Sequence, residues 1–189
     1  MTVFRTTLSA DWFSAFDLAP AADRPDLLAP TVNAALAALP ADVAVLATPI
    51  DPDLADTAAF CAHYGVPEAA SANCVITLGK RAGEERFAAV IVLATTRADI
   101  NTAVRKHVDV RKISFAPMDT ATGLTQMEYG GITPIGLPPD WPILIDTAVT
   151  AAGPVVIGSG RRASKIVIDG ADLAALPNAA VIEGLAHPF

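Results

Sequence analysis

Cysteine, histidine and aromatic side chains are scarce in this 189-residue chain, and so are long apolar runs. Cys61 and Cys74 are the only thiols, so no disulfide framework is implied and a reducing, cytoplasmic setting is the default expectation. His63, His107 and His187 show no ligand spacing, which gives no reason to expect a metal or another cofactor. No uninterrupted apolar stretch reaches the roughly 18 residues of a membrane span, although hydrophobic residues make up 52% of the chain and the mean hydropathy is +0.44. The first 22 residues have neither a basic start followed by an apolar block nor a small-residue cleavage site, so a signal peptide is not expected. Basic residues are also in deficit. The net charge of −7 argues against broad, unspecific nucleic-acid binding, DNA included.

The charge is unevenly placed. Eleven of the 13 Lys and Arg lie between Lys80 and Lys165, against eight acidic residues, so this window is +3 and the remainder −10. A local basic face could meet one phosphate-bearing RNA end, or be an ordinary solvated surface. The length suits one domain with a substantial core. Residues 1–42, rich in Ala, Pro and Asp, read as a peripheral extension pinned to the body by Trp12, Phe13 and Phe16, with a short helix over Thr31–Leu39 capped by Thr31. Residues 43–189 then alternate apolar strands with brief helices. Val43–Ala47 reads as a strand, and Asp51-Pro52 opens a helix that Gly65 stops. Asn73–Leu78 and Phe87–Ala94 predict a hairpin. Thr95-Thr96-Arg97-Ala98-Asp99 has helix-start spacing for Ile100–Val108. Strands are expected at 111–115, 143–146, 155–157, 165–168 and 180–182, a final short helix over Ala171–Leu176, and a loose end over His187-Pro188-Phe189. The fold class is α/β, a single domain with a curved mixed central β-sheet flanked by short helices.

The chemistry-bearing stretch runs from Met127 to Asp146. Gly130-Gly131, Thr133-Pro134, Gly136 and Pro138-Pro139 cannot continue a helix or sit mid-ladder. They make a shaped loop whose glycines permit close backbone approach to a ligand. Ile143-Leu144-Ile145 fits a buried strand ending on Asp146, a carboxylate that either caps the following helix or looks into a pocket. A second irregular turn, Gly158-Ser159-Gly160-Arg161-Arg162, is not a phosphate loop, because no Lys-Ser/Thr follows to open a helix. Cys74 enters an apolar strand without a paired base, as a packing thiol does.

The order Gly130-x-x-x-Pro134, then Ile143–Asp146, then the Gly-Ser-Gly and Ser-Lys pattern within 155–168 resembles the YbaK-type aminoacyl-tRNA deacylases, relatives of the editing domain of prolyl-tRNA synthetases. The resemblance implies the corresponding α/β fold and hydrolysis, in trans, of the ester of a mischarged aminoacyl-tRNA, with the acceptor end as partner and no cofactor. It implies catalytic positions at Asn73, Gly130, Gly131 and Asp146, and substrate-binding positions at Ile132, Thr133, Pro134, Gly158, Ser159 and Gly160, with Lys112 as a further substrate-binding candidate. The family places a lysine in a Lys-Ser-Leu or Lys-Thr-Leu context where this chain has Asn73. An amide donates hydrogen bonds but carries no charge for an oxyanion. Three readings follow: Asn73 suffices for positioning, another cation such as Lys80 or Lys112 reaches in, or the pocket only binds an aminoacyl-tRNA end, an amino acid or a nucleotide. A hydrolase for another small acyl ester is a further alternative.

Overall fold

In the computed structural model, which describes residues 8–189, the strands are β1 (Ala19–Pro20), β2 (Val45–Pro49), β3 (Ala72–Arg81), β4 (Glu84–Leu93), β5 (Thr96–Ala98), β6 (Ile113–Phe115), β7 (Ile143–Asp146), β8 (Pro154–Gly158), β9 (Ser164–Asp169), β10 (Ala179–Ile182) and β11 (Ala186–Pro188). The helices are α1 (Pro30–Leu36), α2 (Thr57–Tyr64), α3 (Arg105–Val108), α4 (Met118–Thr125) and α5 (Thr147–Thr150). The expected hairpin is β3–β4, closed at Ala82-Gly83, both at positive φ, the backbone that matches a tight two-residue turn to strand twist.

That hairpin is the centre of a mixed sheet ordered β10-β7-β4-β3-β6, in which β7 runs parallel to both β4 and β10. Strand β4 shows why the sheet is covered twice. Ala89, Ile91 and Leu93 face one apolar cluster, while Ala88, Val90 and Val92 face another built with Val104, Val108, Ile182 and Leu185. The Ile-Leu-Ile run of β7 is buried at every position, as parallel strands between two layers require. A second, antiparallel sheet, β1-β2-β9-β8, contributes Val155, Ile157, Ile166 and Ile168 to the shared core. Its other face, through Val156 and Val167, packs on Phe60 and Cys61 of α2. A single bridge, Ser71 to Val156, joins the two sheets where the cleft described below opens.

Several local expectations need correction. Helix α1 begins at Pro30 rather than being capped by Thr31, because proline is pre-set for the first helical position; Thr31 Oγ1 instead donates to Thr125 O. Asp51 caps a short 3₁₀ turn, Pro52–Leu54, and α2 starts afresh after Asp56. Thr96–Ala98 is a strand, because it pairs with 186–188, so the supposed loose end is β11 and the following helix is capped by Asp99, whose Oδ1 accepts from Thr102 N. Phe16 stacks on Phe60 and Tyr64, and Leu28, Ala29 and Val32 lie within the shared core.

Candidate active site

The two glycine bends interlock. Gly160 N donates to Gly131 O at 2.7 Å, Glu128 N to Gly160 O at 2.9 Å, and Arg162 N to the Glu128 carboxylate at 2.7 Å. The packing is tight enough that a Cβ on Gly158 would fall 2.2 Å from Gly131 O, so only glycine fits there. Together the bends wall one side of a cavity of about 280 Å³, whose other sides are the start of β3, the start of α2, and Lys165 on β9.

Inside it, Asn73 accepts a hydrogen bond from Thr57 Oγ1 through its Oδ1 at 2.7 Å, which directs its NH₂ group as the remaining donor. Lys165 is 7% exposed. Its Nζ donates to Ala55 O at 3.0 Å, a carbonyl in the break between the 3₁₀ turn and α2, and lies 5.4 Å from the Phe60 ring centre. Burial lowers its pKa from the ordinary 10.5 to about 8, with Arg162 adding repulsion and Asp56 opposing. It therefore remains mainly an ammonium at neutral pH. Neither Asn73 nor Ile76, which precedes Thr77-Leu78 and is buried in the core, brings a cation from β3.

A model of the aminoacyl-tRNA editing domain family matches residues 51–176. The chain belongs to that family. Membership carries the role of aminoacyl-tRNA deacylation. Among solved structures, the editing domain is similar to a protein described only as hypothetical, at 22% identity over 75% of this chain and 90% of that one, with a TM-score of 0.65. It is also similar to a proposed trans-editing enzyme for prolyl tRNA synthetase, at 18% identity over 82% and 97% of the two chains, with a TM-score of 0.67. A computationally designed epitope scaffold matches equally well, at 18% identity over 82% and 95%, with a TM-score of 0.67. These likenesses support the fold. None of the curated proteins matches. No helix among the described residues is long and apolar enough to cross a membrane.

Of the positions expected from the sequence, Asn73, Gly130, Ile132 and Gly158 line the editing domain's cleft. Gly131 serves from behind: its N–H is taken by Glu128 O at 3.0 Å, so it is not a substrate donor, and its carbonyl ties the second bend. Ser159 and Gly160 brace that bend. Ser159 Oγ accepts from Arg161 N and exchanges a hydrogen bond with Ser164 Oγ, fully buried, while Gly160 presses on Ala29. Thr133 is buried with no partner for its hydroxyl among the described residues, and Pro134 lines a separate apolar cavity with Leu137 and Ile143. Lys112 lies beside β6 against Gly79, toward the far end of β3, and Lys80 pairs with Glu85 in solvent. Burial pushes the Cys74 thiol far up, which keeps it protonated and a poor nucleophile.

Asp146 does the capping work. Its Oδ1 accepts from Ala148 N at 2.9 Å and its Oδ2 from Ala186 N at 3.0 Å, so both oxygens are used away from the cleft, joining β7 to α5 and the β11 segment. Asp146→Ala should lose about 1–3 kcal/mol of stability, because two part-buried hydrogen bonds, one of them the cap of α5, lose an ionised acceptor. At a temperature where the variant remains folded, its kcat should stay within a fewfold of the parent. Denaturant unfolding and single-turnover kinetics measure the two effects separately.

The residues that sequence reading missed are Lys165, Asp56, Thr57 and Arg162. One signal was available. Lys165 stands in Ser-Lys-Ile-Val-Ile, a charge at the head of an otherwise apolar strand, where burial without a function is costly.

Proposed function

We propose that this editing domain hydrolyses, in trans, the ester joining an amino acid to the terminal ribose of a mischarged tRNA, with the acceptor end in the cleft and residues 43–189 carrying the site. The observation that carries the reading is the Lys165 ammonium facing the same cavity as the Asn73 amide and the Gly130 bend. Water adds to the ester carbonyl carbon, the bond to the ribose oxygen breaks, and the departing hydroxyl leaves with a proton as the free amino acid is released. The developing oxyanion is stabilised by Lys165, a cation held in a poorly solvated pocket, with the Asn73 NH₂ as second donor. Gly130 and Ile132, whose N–H groups have no backbone partner among the described residues, are placed to hold the aminoacyl portion. Gly131, Ser159 and Gly160 position these groups, and Asp146 steadies the sheet end behind them. The lysine missing from β3 is thereby replaced by one from β9.

The test is to incubate the purified protein with a full set of charged tRNAs and measure ester loss against buffer. A subset should be deacylated, and Asn73→Ala should slow that subset by about tenfold through loss of one neutral donor. Rates equal to buffer for every charged tRNA would reject the reading.

A further inference from the structure

Arg162 has no role in the reaction as derived above, yet it sits at the mouth of the cleft. Its backbone is fixed by the hydrogen bond to Glu128. Its guanidinium lies across Gly130 so closely that a Cβ there would fall 2.4 Å from Nη1, which makes the bareness of Gly130, at φ +81°, the condition for this placement. The only ion pair it makes among the described residues is with Asp56, through one oxygen at 3.6 Å. That carboxylate is 67% exposed, against 31% for the arginine. A single long contact to a solvated carboxylate is worth little and is readily exchanged. The arginine therefore keeps a planar fork of N–H donors at the rim, on a chain whose net charge is −7.

We propose that Arg162 clasps the 5′-phosphate of the terminal nucleotide, the one whose ribose carries the ester. The inference rests on the deacylase reading and specifies how the acceptor end is seated. With the carbonyl at Lys165 on the floor, the ribose spans the cleft and its phosphate emerges beside Gly130. A guanidinium meets two phosphate oxygens at once, which an ammonium cannot do with the same geometry. Asp56 occupies that fork when the cleft is empty and yields to the more highly charged phosphate. The clasp fixes which end of the nucleotide enters first, so it contributes to binding and register and takes no part in bond breaking.

The experiment compares two small substrates: 2′(3′)-O-aminoacyl-adenosine and the same ester bearing a 5′-phosphate, each charged with an amino acid that the wild type removes from tRNA. For the wild-type protein the phosphorylated ester should have a kcat/KM higher by roughly tenfold, mostly through KM, as one charge-assisted bidentate contact allows. Arg162→Ala should bring the ratio of the two substrates to about one, Arg162→Lys should retain part of it, and Asp56→Asn should widen it by removing the competitor. An unchanged ratio in Arg162→Ala overturns the proposal. So does an equal collapse in Arg162→Ala and Asp56→Asn, which would mean that the ion pair only braces the loop. Hydrolysis of both esters by the wild type without preference rejects the clasp and spares the deacylase reading; hydrolysis of neither, beside continued deacylation of the charged tRNA, shows that the terminal nucleotide is not what seats the substrate and likewise rejects the clasp alone, whereas the deacylase reading fails only if no charged tRNA is deacylated.

Discussion

Lys165→Met should lower kcat/KM for aminoacyl-tRNA by roughly two to three orders of magnitude, the usual effect of removing an oxyanion donor from an enclosed site. Methionine keeps the length and apolar packing of the lysine stem, so the loss reports the charge. The same change should make the protein more stable. The folded-state pKa of about 8 lies below the ordinary 10.5. Below about pH 8 both folded and unfolded chains carry the ammonium, and its burial costs roughly 3 kcal/mol in full. Between about 8 and 10.5 the unfolded chain binds the extra proton, so wild-type stability rises with pH until the cost has gone. Lys165→Met should therefore gain up to about 3 kcal/mol at pH 7, with the advantage shrinking towards pH 10.5. Denaturant unfolding at a series of pH values measures this. Loss of activity with gain of stability is the signature of a charge kept for chemistry. A variant that is less stable at every pH and keeps its activity within threefold would remove Lys165 from the mechanism.

Gly158→Ala should be nearly as damaging by a different route. The added methyl would lie 2.2 Å from Gly131 O and 2.5 Å from Ile132 O, which are backbone atoms that cannot rotate away. One of the interlocked bends must move, at about 1–3 kcal/mol of stability. A displacement of about 1 Å in the Gly130–Ile132 wall can reduce kcat by about a hundredfold, because the substrate carbonyl no longer meets its donors. Gly123→Ala is the control. Its Cβ meets nothing within 4 Å, within α4, and it should leave kcat unchanged while adding up to about 1 kcal/mol of stability. Thermal unfolding and single-turnover deacylation of both variants distinguish a moved wall from a general loss of helix or loop freedom.

The legible parts of the fold were those that local chemistry decides. The continuous apolar runs of β4, from Phe87 to Leu93, and of Ile143–Ile145 each determine their element within a few residues. The meeting of the two glycine bends is a tertiary fact: the sequence offers Gly131 and Gly158 as room for a ligand, whereas the fold uses that room for the backbone of the other bend. Asp146 was ambiguous for a physical reason: a carboxylate after a buried strand satisfies itself equally well by capping or by facing a ligand, and only the position of Ala186, 40 residues away, decides. The start at Asp99 rather than Thr95 had the same origin, since Thr96 pairs with the remote Pro188. Lys165 was the largest omission. The family pattern puts the cation on β3, whereas the cation facing the cleft comes from β9, whose partner β8 meets the residue before β3 at Ser71 and Val156. No spacing along the chain reports that meeting.

The most direct test of the Lys165 assignment is the pH dependence of single-turnover deacylation by the wild-type protein, corrected at each pH for spontaneous ester hydrolysis in buffer. The account predicts an enzymatic rate that holds steady through neutral pH and falls as the buried ammonium loses its proton above about pH 8. A corrected rate that keeps climbing through pH 9 and 10 in parallel with hydroxide would show that no ammonium acts on the ester.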